Sequence, residues 1–179
     1  MAQEKVYTIE DIYNLPDGER AELIDGQIYY MAPPGMKHQR IVSFFTREIG
    51  NYIQSNNGDC EVFPAPFAVY LDENTNTYVE PDISVICDKN KLDDKGCKGA
   101  PDWVIEIVSP SSRRMDYYTK LFKYRTAGVR EYWIVDQDKN SIIVYSFEKE
   151  DINLYSFTDE IPVGIYNGEL RIDLSQIDL

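Results

Sequence analysis

The stretch Trp103-Val104-Ile105-Glu106-Ile107-Val108 restricts the folds open to this chain more than any other. Its apolar residues are mostly β-branched and do not alternate with polar ones. The run therefore predicts a strand over Asp102–Ser109 that is covered on both faces, inside a layered domain. Glu106 is the exception within it. Burying an unpaired carboxylate is costly, so this one needs a cation, a strong hydrogen-bond donor or a function that uses its charge.

The segments around it supply the layers. Thr8-Ile9-Glu10-Asp11 has the form of a capped helix start, ending by Pro16. Two short apolar runs flank Asp25-Gly26 between Glu22 and Met31, which predicts a hairpin. From Lys37 to Asn56, Ile41, Phe44, Phe45, Ile49, Tyr52 and Ile53 recur at three- and four-residue spacing, the mark of an amphipathic helix. Strands are expected over Glu61–Leu71 and Tyr78–Cys87, separated by a polar turn at Asp72–Asn76, and a charged loop, Lys89–Pro101, leads to Asp102–Ser109. A second helix spans Asp116–Ala127 with Gly128 as its C-cap, followed by a strand over Glu131–Asp136. Further strands are expected over Ser141–Phe147, Ile152–Phe157 and Glu169–Ile172. The core order is α-β-β-β-α-β, in one α/β domain over residues 1–179 with a mixed central sheet flanked by helices, an N-terminal hairpin and extra C-terminal strands.

A net charge of −13 argues against a generally basic, phosphate-coated surface. Cys60, Cys87 and Cys97 have no C-x-x-C spacing and are odd in number, which favours neither a zinc site nor a full disulfide framework and fits a reducing cytoplasm. Residues Met1–Lys5 lack the apolar core of a signal peptide, and no run is long enough for a membrane span, so a cytoplasmic protein without membrane contact is expected.

Three residues read together. Asp82 lies mid-way along the second strand, Glu106 in the third and Lys120 on the helix that follows. Adjacent strands joined by a short connection run antiparallel, which can bring Asp82 and Glu106 to one side. Two carboxylates that close repel unless a cation lies between them. Carboxylate, carbonyl and water oxygens suit Mg²⁺ or Mn²⁺, and the backbone oxygen of Ile107 is a further candidate ligand. Such an ion polarises a phosphoryl oxygen and activates water, and Lys120 can orient that water or neutralise charge building on the phosphate.

The α-β-β-β-α-β order with Pro81-Asp82 and Glu106-Ile107-Val108 resembles the PD-(D/E)XK, or restriction endonuclease-like, superfamily. More narrowly, seven segments resemble the Uma-type endonucleases: Glu22-Leu23-Ile24-Asp25-Gly26, Met31-Ala32-Pro33-Pro34, His38-Gln39, Glu80-Pro81-Asp82, Glu106 to Ser111, Asp116 with Lys120, and Gly128 to Asp136. The resemblance runs from about residue 18 to 147. It implies a Mg²⁺-dependent endonuclease acting on DNA, with Asp82, Glu106 and Lys120 as catalytic residues, and nucleases of this fold often cut as homodimers. The sequence departs from the superfamily pattern at Val108, where a strand lysine is expected, and the resemblance passes that role to Lys120.

Each residue also has an ordinary structural reading. Glu106 can pair with a core cation or tyrosine. Asp116 and Lys120, four residues apart, can form a surface salt bridge. Glu80 can support the site or simply start a strand. His38, beside Gln39, can touch a phosphate or cap a helix. The basic residues Lys37, Arg40, Arg113, Arg114 and Lys123, with Arg47, Arg125 and Arg130, are candidates for a phosphate track or for solvated helix faces. The fourteen tyrosines suit core edges better than base stacking. Two other functions use the same residues: a catalytically silent DNA- or protein-binding module, and a phosphodiesterase acting on RNA or nucleotides.

Overall fold

The computed structural model describes residues 5–72 and 76–179. The centre of the expected Asp72–Asn76 turn, residues 73–75, lies outside the described residues, as do residues 1–4 of the N-terminal segment. In chain order the elements are α1 (Ile9–Tyr13), β1 (Ala21–Ile24), β2 (Gln27–Tyr30), α2 (Met36–Ser55), β3 (Glu61–Pro64), β4 (Val69–Tyr70), β5 (Thr77–Val79) and β6 (Ile83–Ile86). They continue with β7 (Leu92–Asp93), β8 (Gly96–Lys98), β9 (Trp103–Val108), a π-helical segment (Met115–Lys120) running into α3 (Leu121–Ala127), and β10 (Glu131–Asp136). Strands β11 (Ser141–Ser146), β12 (Asp151–Ser156), β13 (Glu160–Pro162) and β14 (Arg171–Asp173) complete the chain.

The main sheet has the order β12-β11-β10-β9-β6-β3, with β9 and β10 parallel and the other neighbours antiparallel. It is the mixed sheet expected, and β9 lies inside it. Alternation along β9 divides the core: Trp103, Ile105 and Ile107 pack with Ile41, Phe45 and Ile49 of α2, whereas Val104 and Val108 pack with Tyr124 and Val129 on the opposite face. Every residue of β9 is buried. The parallel β9–β10 pair is bridged by the π-helical segment and α3, as a parallel crossover requires.

Two expected strands are each divided in two. The 61–71 stretch bends at Pro66, which follows a cis peptide bond, and the 78–87 stretch breaks at Pro81. Proline has no N–H for the ladder, so the chain changes sheets at both places. Strands β4 and β5 join a second sheet of order β2-β1-β5-β4-β8-β7. The N-terminal hairpin is thus part of a packed layer, and the expected 89–101 loop contributes the β7–β8 pair to the same layer. The Asp25-Gly26 turn has φ of 51° and 75°, the paired positive values of a tight hairpin, and a Cβ at Gly26 would lie 2.6 Å from a Val6 methyl. Strands β13 and β14 form a separate two-stranded sheet.

Cys60 and Cys87 are joined by a single disulfide, which is not a full framework but is not what a reducing compartment led one to expect. They follow the Glu61↔Ile86 pair in the β3–β6 register, which sets them opposite each other. Cys97 is free and buried. Among the described residues, no helix is long and apolar enough to cross a membrane.

Candidate active site

The break at Pro81 builds one wall of the site. In the β6–β9 register Ile83 faces Ile105, so Asp82 lies opposite Glu106, just outside β6 rather than mid-strand as expected. Without a strand residue beyond Asp82, the Ile107 N–H donates instead to Asp82 Oδ2 at 2.7 Å. The Asp82 N–H points to Glu106 Oε2 at 3.4 Å. His38, on the first turn of α2, places Nε2 3.2 Å from Asp82 Oδ2, and its Nδ1 is buried with no hydrogen-bond partner among the described residues.

The helix after β9 builds the opposite wall. Asp116, Lys120 and Tyr124 recur at four-residue spacing and face Glu106 across the sheet surface. Lys120 Nζ lies 2.9 Å from Glu106 Oε1 and 2.9 Å from Glu22 Oε2, with Asp116 Oδ1 at 3.7 Å. The Tyr124 hydroxyl donates to Glu106 Oε1 at 2.6 Å. Asp116 and Lys120 are buried, so their pairing is not the surface bridge that the spacing alone allowed. The π-helical turn holds both at the site, a distortion that helices often carry where side chains must be aimed.

These side chains line a cleft of about 490 Å³, roofed by β2 and the Met31–Gly35 segment. Glu22, Asp82, Glu106 and Asp116 reach it against two permanent cations, Arg20 and Lys120. Burial, and after it that excess of carboxylate, shifts the proton affinities of these groups. Burial holds Glu106 well above the usual carboxylate range despite Lys120, helped by repulsion from Asp116, Asp82 and Glu22. Burial likewise raises Asp116 to about 6, with Lys120 opposing it. Burial alone would lower Lys120, but Glu106, Glu22 and Asp116 outweigh it and hold it well above its ordinary value. Lys120 is therefore an ammonium at neutral pH.

A family model described as "Uma2: Putative restriction endonuclease" matches residues 8–171. The chain belongs to the Uma2 family. "Uncharacterized protein slr1290" of Synechocystis sp. is similar to this Uma2 chain at 29% identity over 128 residues, 71% of the chain and 66% of that relative, so the match spans just under two thirds of the relative's length. The crystal structure of a "putative nuclease belonging to DUF820" from Anabaena variabilis superposes with a TM-score of 0.77 at 22% identity, covering 94% of this chain and 95% of that one. That likeness is one of fold, and the fold is restriction endonuclease-like, with an added second sheet carrying the hairpin.

The structure brings together Asp82, Glu106, Lys120, His38 and Asp116, and Ile107 and Gln39 also line the cleft. Glu80 does not line it. Its carboxylate is buried, accepting from Arg20 Nε at 2.8 Å and from the Tyr78 hydroxyl at 2.6 Å. The basic residues do not form one track. Arg113 pairs with Asp136 and Asp138, Lys123 with Asp25, and Arg130 with Asp102 and Glu148. Lys37 donates to the Gln137 carbonyl at 2.8 Å and Arg40 to that of Asp178 at 2.8 Å, while Arg47 pairs with Glu48; Arg114 and Arg125 are exposed on the helix. In an acidic chain the nearest carboxylate or carbonyl takes most of these cations.

Sequence reasoning passed over Glu22 and Tyr124. Glu22 sits in a fully buried four-residue strand, the same signal that drew attention to Glu106. Besides holding Lys120, it accepts the Glu80 N–H at 2.9 Å, which ties the hairpin to β5.

Proposed function

We propose that this Uma2 protein is a divalent-cation-dependent endonuclease that hydrolyses phosphodiester bonds of DNA in the cleft beneath its hairpin. Membership of a family described as "Putative restriction endonuclease" supports nucleic-acid hydrolysis in general. The observation that carries the finer reading is the convergence of Asp82 and Glu106 at one end of the cleft, with Lys120 bonded to the far oxygen of Glu106.

The donor set fits Mg²⁺ or Mn²⁺. Asp82 Oδ1 accepts no hydrogen bond among the described residues, and Glu106 Oε2 accepts only the long contact from Asp82 N–H. No cluster of three or more His, Cys, Asp or Glu is placed to enclose a metal among the described residues. A small hard cation that keeps several waters and takes two carboxylates suits such an open set better than a fully caged one. The Ile107 carbonyl oxygen completes the proposed ligands, and the surplus of negative charge gives the cation its attraction. When bound, the cation supplies Lewis-acid stabilisation of charge on the phosphate and makes water more acidic.

The protein groups do the rest. Lys120, fixed as an ammonium by Glu22 and Glu106, holds the Glu106 carboxylate in place and offsets charge developing at the phosphate; it is not the base that takes a proton from water. Tyr124 fixes the same carboxylate oxygen. His38, beside Asp82, is placed to hydrogen-bond a phosphate oxygen or the attacking water. The test is an assay on plasmid and oligonucleotide DNA with Mg²⁺, Mn²⁺ or EDTA. The reading predicts cleavage with either ion and none in EDTA; undiminished cleavage in EDTA, or none with any divalent ion, overturns it.

A further inference from the structure

The hairpin strand β2 presents a tyrosine that the fold does not use. In the β1–β2 register Tyr29 is directly opposite Glu22. Residues directly opposite in an antiparallel pair project from the same face. On that face Glu22 reaches Lys120, so the Tyr29 ring lies on the cleft side of the hairpin and lines the cleft with Asp82 and Glu106. Tyr29 is 39% exposed and, among the described residues, enters no hydrophobic cluster, aromatic pair or hydrogen bond. Most other aromatic side chains near the sheets, such as Tyr70, Tyr78, Tyr124 and Tyr132, are packed or bonded. A half-exposed ring with no internal partner, on the wall of a polar cleft, is a surface for a flat guest.

The cations point the same way. Duplex binders draw most of their affinity from neutralising many phosphates. Here the two cations in the cleft, Arg20 and Lys120, are engaged by carboxylates, and Arg113 and Lys123 nearby are engaged as well. A strand held by few phosphate contacts needs another source of affinity, and stacking on an aromatic ring supplies it without regard to sequence. The cleft volume suits a nucleotide-sized guest rather than an intact double helix.

We propose that Tyr29 stacks an unpaired nucleobase beside the scissile phosphate, so that the strand entering this cleft is single-stranded at the point of cutting. The proposal rests on the nuclease reading and specifies its substrate class. DNA and RNA share the chemistry that the ring would recognise.

The test is fluorescence anisotropy with labelled 12-mers of thymidylate and of uridylate, and with the thymidylate 12-mer paired to its complement, all with Ca²⁺ present. Wild type, Tyr29→Ala, Tyr29→Leu and Tyr29→Phe are compared, with Tyr118→Ala as an exposed tyrosine elsewhere, and thermal melting confirms that each is folded. Stacking is worth ~1–3 kcal/mol per base, so Tyr29→Ala and Tyr29→Leu are expected to weaken single-strand binding about 5- to 150-fold. Tyr29→Phe should stay within about twofold of wild type, since a phenyl ring keeps the stacking face. Wild type should prefer either single strand to the duplex. Equal or tighter binding of the duplex, no binding of any 12-mer, or a Tyr29→Leu protein that binds like Tyr118→Ala overturns the proposal. Mn²⁺-dependent cleavage is scored in parallel. Tyr29-dependent binding without cleavage keeps the stacking site and removes the nuclease reading, whereas cleavage indifferent to Tyr29 does the reverse.

Discussion

Glu22 and Lys120 meet at 2.9 Å in the base of the cleft, joining the N-terminal hairpin to the helix that follows β9. The contact makes a distant strand part of the site. It also sets the charge state there, because one buried ammonium serves Glu22, Glu106 and Asp116 together.

Removing that ammonium leaves three buried carboxylates without compensation. Lys120→Met should cost about 3–5 kcal/mol of stability near neutral pH. The folded-state values of Glu106 and Asp116 are raised above their unfolded ones, so protonation favours the folded form and that gain is lost as pH rises. The deficit of Lys120→Met relative to wild type should therefore be smaller at pH 5 than at pH 8. Thermal unfolding at the two pH values measures it, and a deficit that does not change with pH would show that the carboxylates are not the cause.

Glu22→Gln keeps the shape of the side chain while removing one anionic partner of Lys120. Partners that orient a functional residue commonly affect activity or metal affinity by about 10- to 100-fold. A drop of that size in kcat is expected, with little change in KM because Glu22 holds Lys120 rather than the substrate. Steady-state cleavage of an oligonucleotide measures it, and a change confined to KM would place Glu22 at the substrate instead.

Much of this was legible before the structure. The two-faced burial of β9, the Asp25-Gly26 hairpin, the amphipathic α2 and the Gly128 cap follow from local patterns that packing did not override. Asp82 opposite Glu106 followed from an antiparallel neighbour. Pro66 and Pro81 stand in the sequence, yet continuous strands were expected across both, and nothing local showed that they would send β4 and β5 to a second sheet, since the sheet a strand joins is a long-range choice. Glu106 itself could not be told from Glu131 by pattern alone. Both are buried acids in apolar strands, but Glu131 is spent on structure: Trp133 Nε1 donates to it at 2.7 Å, and the backbone N–H groups of Gly164 and Ile165 do so at 3.1 and 2.8 Å. What separates them is the partner each finds across the fold.

Arg113 illustrates the same point on the surface. It was a phosphate candidate by charge, and the fold commits it to the fully buried Asp136 carboxylate. Burial pushes Asp136 up, but Arg113, Tyr117 and the Lys139 N–H together hold it below the usual carboxylate range. The resulting stability is present above the unfolded pKa and is lost as pH falls through the lower folded value. Arg113→Ala should lower stability at pH 7, by loss of a charge-assisted hydrogen bond, and the loss should shrink as pH falls below the usual carboxylate range. Chemical denaturation at pH 7 and at a pH below that range checks this; equal losses would mean that Arg113 acts through packing.

The most direct test compares Asp82→Asn and Glu106→Gln with wild type for Mn²⁺-dependent DNA cleavage, with thermal melting of the cation-free proteins alongside. Each variant should lose cleavage while melting within a few degrees of wild type, because each relieves repulsion among carboxylates without emptying the core. If both variants are folded and cut as fast as wild type, Asp82 and Glu106 are not the centre of the reaction.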